Sequence, residues 1–84
     1  MKHLKNALLL MALLAQSAWA AVNVNEADAA TIAEELKGIG LSKATAIVAY
    51  REKNGPFKTI EQLTEVKGIG LKTVEKNRQE IKLK

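Results

Sequence analysis

The sequence predicts an all-α fold in which four short helices form two helix–turn–helix hairpins. A five-residue string, Lys-Gly-Ile-Gly-Leu, occupies residues 37–41 and recurs letter for letter thirty positions later, at residues 67–71. Repeats at such a period usually correspond to one supersecondary unit each. Apolar residues on both sides of each copy follow helical spacing, and no strand pattern is long enough to predict a sheet.

The first two predicted helices flank the first copy of the string. Asp28 is the predicted N-cap of the first helix and Asn25 is the alternative, since either side chain can accept a hydrogen bond from a free amide. Ser42 is the predicted cap of the second helix, which the Asn-Gly-Pro sequence at residues 54–56 ends. The predicted buried residues of these two helices are Ala29, Ile32, Ala33, Leu36, Ala44, Ile47 and Val48.

The last two predicted helices flank the second copy. Thr59 and Gln62 have the spacing of a capping box for the third helix. The fourth helix is predicted to begin near Lys72. The predicted buried residues of these helices are Ile60, Leu63, Val66, Val74 and Ile81. Tyr50 and Phe57 are also expected in the core, because the remainder of the chain has few other large side chains.

The first twenty residues have the order of a secretory signal peptide. Residues 1–5 carry two lysines and no acid, residues 7–15 are all apolar, and residues 18–20 place alanine at −3 and −1. As a helix, the apolar run would reach about 14 Å, less than half of a ~30 Å hydrocarbon core. We therefore expect cleavage after Ala20 and a mature domain at residues 21–84. An uncleaved anchor and a buried core helix are the alternatives.

The composition of the expected mature domain argues against an enzyme. Removing Lys2 and Lys5 from the 13 basic residues leaves 11 against 9 acidic ones, a net charge of +2. The chain has no Cys, and its one His, at position 3, precedes the predicted cleavage site. Ser–His and Cys–His pairs and zinc sites built on Cys or His therefore cannot form in this domain. We expect no catalytic residues, no metal and no cofactor.

The glycines of the repeated string predict an anion site at each hairpin. The alternative is purely structural: the glycines permit a tight connection, and Ile39 and Ile69 pack into the core. However, a glycine-bearing connection that leads into a helix leaves several backbone N–H groups free where the helix dipole is positive. The missing side chains let a phosphate approach the main chain. Residues 37–43 and 67–73 each contain two lysines and no acid, which favours the same ligand.

Two phosphate sites related by a pseudo-two-fold axis suit a duplex. Its antiparallel phosphate strands face each other across the minor groove, and phosphate contacts carry no base sequence. We therefore expect sequence-independent binding to double-stranded DNA. The alternative is a helical protein-interaction module of an envelope, secretion or pilus complex, since a net charge of +2 is modest for a DNA-binding protein.

The order of these segments resembles the competence DNA receptor family, ComEA. The two Gly-Ile-Gly strings look like tandem helix-hairpin-helix (HhH) motifs, and the resemblance extends over residues 23–81. The matching segments are residues 22–25, 36–40, 47–52, 54–58 and 66–73. The resemblance implies an (HhH)2 unit of four helices, preceded by a signal peptide. It also implies a periplasmic protein that binds double-stranded DNA during natural transformation, with an inner-membrane DNA-uptake channel as a candidate partner and self-association along the DNA as a candidate assembly.

The resemblance also implies which residues bind DNA. The glycine amides would bind phosphate oxygens, and Lys43, Lys72 and the Thr73 hydroxyl would add side-chain contacts. The full set of predicted DNA-binding residues is Gly38, Ile39, Gly40, Leu41, Ser42, Lys43, Gly68, Ile69, Gly70, Leu71, Lys72 and Thr73.

Several positions depart from the family pattern or have more than one interpretation. Asn77 aligns with Ile47 of the first copy, so the last helix either packs loosely or Asn77 finds a backbone partner. Leu41 and Leu71 stand where Pro or a polar residue is common; we expect them to rest on their hairpins, with a sugar or base edge as the alternative contact. Arg51 is expected in a salt bridge or in solvent, with DNA as the alternative. The tail, residues 82–84, is expected to fray, with a phosphate contact as the alternative.

Overall fold

The computed structural model describes residues 21–84, and the predicted signal peptide lies outside them. The predicted all-α class is confirmed, because helices provide nearly all of the regular structure. The elements in chain order are β1 (Val22–Asn23), α1 (Ala29–Glu35), α2 (Leu41–Asn54), a 3₁₀-helix (Glu61–Glu65), α3 (Leu71–Asn77), a second 3₁₀-helix (Arg78–Glu80) and β2 (Ile81–Lys82). Across residues 21–84, every helix is too short or too polar to cross a membrane.

The start of α1 follows the prediction. The Asp28 carboxylate accepts a hydrogen bond from the Thr31 amide at 2.8 Å, which caps the helix. This backbone hydrogen bond is the main cause that lowers the pKa of Asp28. The alternative cap, Asn25, has another role: its side-chain nitrogen, Nδ2, donates to the carbonyl oxygens of Phe57 and Leu83, each at 3.0 Å. Asn25 therefore connects the N-terminal segment to the middle and the end of the domain.

The end of α2 also follows the prediction, but its start does not. Gly55, with φ +90°, donates its amide to the Arg51 carbonyl at 2.8 Å and ends the helix. The predicted Ser42 cap was wrong, because the helix begins one residue before Ser42 and Gly40 occupies the N-cap position. Gly40 has no side chain, so the first turn of α2 has no side-chain cap.

The predicted third helix is a five-residue 3₁₀-helix rather than an α-helix. One half of the predicted capping box is present: the Thr59 hydroxyl accepts from the Gln62 amide at 3.2 Å. The Gln62 side chain accepts from the Lys58 amide at 2.8 Å, one residue before the amide that a capping box uses.

The last helix, α3, begins at Leu71 and ends at Asn77. Ile81 is buried as predicted but lies in β2 and not in the fourth helix, so that part of the prediction was wrong. β2 pairs in parallel with β1, with Val22 opposite Ile81. Two-residue strands are too short to produce an alternating pattern, which is why the sequence did not predict them.

Lys82 and Leu83 of the tail are held in place, so the expected fraying was wrong for these two residues. The Val24 amide donates to the Lys82 carbonyl at 3.0 Å, and the Leu83 carbonyl accepts from Asn25. The expectation for Arg51 was also wrong. Its guanidinium donates to the carbonyl oxygens of Val24 and Ala27 at 2.8 and 2.6 Å, which fixes the N-terminal segment against α2.

One hydrophobic core joins the two hairpins. The buried apolar residues are Val22, Val24, Ile32, Leu36, Ile39, Ala44, Ile47, Phe57, Leu63, Val66, Ile69, Val74 and Ile81. The other predicted core residues, Ala29, Ala33, Val48, Tyr50 and Ile60, are partly buried against this cluster. Tyr50 stacks on Phe57 with ring centroids 5.1 Å apart, and its hydroxyl donates to the Glu65 carboxylate at 2.7 Å.

Candidate nucleic-acid interface

The two glycines in each repeated string have different backbone roles. Gly38 and Gly68 have φ of +73° and +92°, the left-handed region that disfavours residues with a Cβ. Gly40 and Gly70 have φ of −78° and −98°, an extended backbone that any residue adopts. The first glycine therefore makes the turn, whereas the second needs a different explanation.

The open space beside Gly40 and Gly70 explains why glycine occupies these two positions. A Cβ atom built on Gly40 or Gly70 would have no heavy atom beyond its chain neighbours within 4 Å, so each glycine faces an open area. Neither glycine can cap the helix that follows it. The absent side chains leave room for a ligand to reach the main chain.

Three backbone amides in each hairpin precede the first intrahelical hydrogen bond. In α2 this first bond runs from the Ala44 amide to the Gly40 carbonyl at 2.9 Å, and in α3 it runs from Val74 to Gly70 at 3.2 Å. The amides that come before them have no partner within the helix. They belong to the predicted site residues Leu41, Ser42, Lys43, Leu71, Lys72 and Thr73. Both hairpins thus present the same group of donors.

The central isoleucines of the two strings hold the hairpins on the core. Ile39 and Ile69 are each 4% exposed, so the structural alternative considered for these residues is confirmed. The Ile69 amide also closes its turn by donating to the Val66 carbonyl at 3.1 Å. As predicted site residues, these two can offer a ligand their backbone but not their side chains.

The leucines that follow each string face solvent. Leu41 is 61% exposed and Leu71 is 59% exposed. This exposure does not fit the expectation that they rest on their hairpins. Both are the first residues of their helices, so two apolar side chains flank the two groups of free amides.

A lysine of the first hairpin brings the two hairpins together. Lys43 lies in the first turn of α2, and the carbons of its side chain lie over Gly68 of the second hairpin. A Cβ atom on Gly68 would be 3.6 Å from both Cγ and Cε of Lys43. The sequence did not predict this contact, because residues 25 positions apart share no local pattern.

The buried side chain of Asn77 makes a second connection between the hairpins. Its oxygen accepts from the Lys37 amide at 2.7 Å, and its nitrogen donates to the carbonyl oxygens of Lys37 and Thr73 at 2.8 and 2.9 Å. The backbone partner considered for Asn77 is confirmed. Asn77 was absent from the predicted site, although a polar residue at an apolar position of a helix was the signal that could have placed it there.

The acidic residues with ion pairs lie outside the two glycine strings. Arg78 pairs with Glu61 at 2.7 Å and also contacts Glu75, and these are the ion pairs among residues 21–84. The hydrogen bond from Arg78 is the main cause that lowers the pKa of each carboxyl, and the pKa of Arg78 is raised in turn. The described lysines of both hairpins are thus free of intramolecular ion pairs.

Comparisons with known proteins agree with this geometry. The family model described as a helix-hairpin-helix motif matches residues 17–82. An uncharacterized protein of Haemophilus influenzae is 57% identical over 60 residues, which cover 71% of this chain and 54% of that protein. ComE operon protein 1 of Bacillus subtilis is 49% identical over 65 residues, covering 77% of this chain and 31% of that protein. Kinesin-like protein KIF22 of Xenopus tropicalis is 46% identical over 41 residues, 49% of this chain and 6% of that protein. The chain thus spans about half of the first of these relatives and about a third of the second.

Proposed function

The chain belongs to the helix-hairpin-helix family and is a ComEA-like member of it, and on this premise we propose that it binds double-stranded DNA through the phosphate backbone, without sequence preference. Its role is binding and not catalysis. The observation that carries the proposal is the pairing of two helix starts with glycine at the N-cap position, each with three free amides beside open space.

Each hairpin supplies what a phosphate requires. Free amides at a helix start donate to phosphate oxygens, and the absent side chains of Gly40 and Gly70 allow direct approach. Lys43 and Lys72 add positive charge, and the Thr73 hydroxyl adds one more donor. A DNA duplex offers one phosphate strand to each hairpin, and contacts with phosphates do not depend on base sequence.

We propose that this binding serves DNA uptake in the periplasm during natural transformation. Three features support the proposal: the signal-peptide pattern of residues 1–20, the resemblance to ComEA, and the similarity to ComE operon protein 1. The mature domain is then residues 21–84. An inner-membrane DNA-uptake channel is the proposed partner to which the bound DNA passes.

The small size of the domain sets the expected affinity. If each hairpin neutralises about two phosphates, log K falls with log salt with a slope of about −3.6, roughly a hundredfold between 50 and 200 mM salt. Because a single copy makes so few contacts, it binds DNA weakly. We propose that many copies align along one duplex and gain avidity.

A pair of substitutions at the two N-cap glycines tests the proposal. Gly40→Asp with Gly70→Asp places a favourable N-cap residue at each helix start, so the fold is retained. The same carboxylates occupy the free amides and repel phosphate, so affinity for duplex DNA at 50 mM salt should fall on the order of a hundredfold. Ala30→Asp with Gln79→Asp is the matched control, because it adds the same charge at exposed positions outside the two glycine strings and the helix starts that follow them. Equal losses in the two double variants, measured by fluorescence anisotropy, would contradict a site at the hairpins.

The exposed leucines favour a second candidate function. Leu41 and Leu71 are the large apolar side chains that residues 21–84 expose most, and apolar residues on a surface can mark a protein interface. A protein-interaction module of an envelope complex would bind its partner with little dependence on salt. The salt slope of DNA binding therefore distinguishes the two candidates.

A further inference from the structure

The position of Lys43 makes the two hairpins unequal. Lys43 belongs to the first hairpin by sequence, but its side-chain carbons lie over Gly68, with Cγ and Cε 3.6 Å and Cδ 3.9 Å from the site of a Cβ. Neither Gly38 nor Gly40 has such a neighbour. The packing of a lysine on a glycine therefore occurs only at Gly68 of the second hairpin and has no counterpart at the glycines of the first string.

The packed carbons of the Lys43 side chain determine where its charged group lies. The ammonium nitrogen is one bond beyond Cε, so it lies beside the second hairpin. It makes no ion pair with any residue among 21–84. The side chain is half-buried, and the packed stem restricts where the ammonium group can move.

We propose that Lys43 contacts the phosphate bound by the second hairpin, and not the phosphate bound by its own. This inference rests on the proposed function. Thr73 occupies the equivalent position thirty residues later and is too short to cross back to the first hairpin. The second hairpin then has Lys43 in addition to its own Lys67 and Lys72, whereas the first hairpin keeps only Lys37 and its backbone amides. The second hairpin is the stronger of the two DNA contacts.

A double-mutant cycle tests the assignment of Lys43. Lys43→Met keeps an unbranched apolar stem over Gly68 and removes only the charge. Gly40→Val blocks the first hairpin and Gly70→Val blocks the second, and the extended backbone at both positions accepts a β-branched residue. Each variant is made in the full chain, and circular dichroism compares its helix content with that of the parent.

The expected result is coupling between Lys43 and the second hairpin. Lys43→Met should lower duplex affinity on the order of fivefold, both alone and in the Gly40→Val background, and reduce the salt slope by about 0.9. In the Gly70→Val background it should change affinity less than about twofold, because the phosphate it would contact is already lost. Gly70→Val alone should cost more affinity than Gly40→Val alone. Lys72→Met is the positive control, since it should show the same coupling to Gly70→Val.

Other outcomes would overturn the inference. If Lys43→Met loses its effect in the Gly40→Val background and keeps it with Gly70→Val, then Lys43 serves its own hairpin. Equal effects in both backgrounds would assign it to neither phosphate. If the unsubstituted chain does not bind duplex DNA at 50 mM salt, the proposed function itself fails, and the inference fails with it.

Discussion

Replacement of Asn77 by alanine should destabilise the domain strongly. Asn77 is 1% exposed and makes three hydrogen bonds, two of them with the backbone of Lys37 in the first hairpin. Each bond contributes about 1 kcal/mol, so their loss costs about 3 kcal/mol. A domain of this size has a total stability of about 3–10 kcal/mol. Asn77→Ala should thus remove roughly 30% or more of the free energy of unfolding.

Urea denaturation followed by circular dichroism measures this loss, and Asn54→Ala is the matched control. The Asn54 side chain is exposed and makes one hydrogen bond, to the Tyr50 carbonyl at 3.0 Å. Its removal should cost less than about 0.5 kcal/mol. Hydrogen exchange adds a local readout, because the Lys37 amide should lose protection in Asn77→Ala. If the two alanine variants unfold at the same urea concentration, the connection between Lys37 and Asn77 does not contribute as described.

Two further predictions concern backbone conformation and pH. Gly38→Ala should destabilise the domain by about 1 kcal/mol in urea denaturation, because Gly38 has a positive φ. Gly40→Ala should lower the free energy of unfolding less. Equal losses for the two variants would contradict the different roles of the two glycines. The pKa values of Asp28, Glu61 and Glu75 are lowered in the fold. These carboxyls therefore stabilise the domain fully above about pH 4, the pKa range of carboxyls in an unfolded chain. Their contribution is lost as the pH falls through the folded pKa values. In NMR titrations, Arg78→Gln should raise the pKa of Glu61 and Glu75 and leave that of Asp28 unchanged, and a shift of all three would refute these assignments.

The helices and most of the core could be predicted because their signals are local. The repeated string located both hairpins, and helical spacing identified Ile32, Ile47 and Leu63 as buried. A helix face and its caps depend on residues within about four positions of one another, so one segment of sequence contains the information. The predicted Ser42 cap failed for a local reason, since Gly40 takes the N-cap position and leaves the amides free.

The contacts that close the domain could not be predicted, because they join distant residues and backbone groups. Asn25 binds Phe57 and Leu83, which are 32 and 58 positions away, and Arg51 binds carbonyl groups of the N-terminal segment. Backbone acceptors are the same at every residue, so such bonds leave no pattern in the sequence. The same limit applies to the site: its glycines and lysines were recognisable, whereas the packing of Lys43 on Gly68 required the structure.

Phosphate binding by the two hairpins can be measured in a single titration. The domain at residues 21–84 is titrated into fluorescent duplexes of two unrelated sequences, at salt concentrations from 50 to 200 mM. We expect equal affinities for the two duplexes and a slope of log K against log salt of about −3 to −4. Absence of binding at 50 mM salt, from a domain that circular dichroism shows to be helical, would contradict phosphate binding by the hairpins.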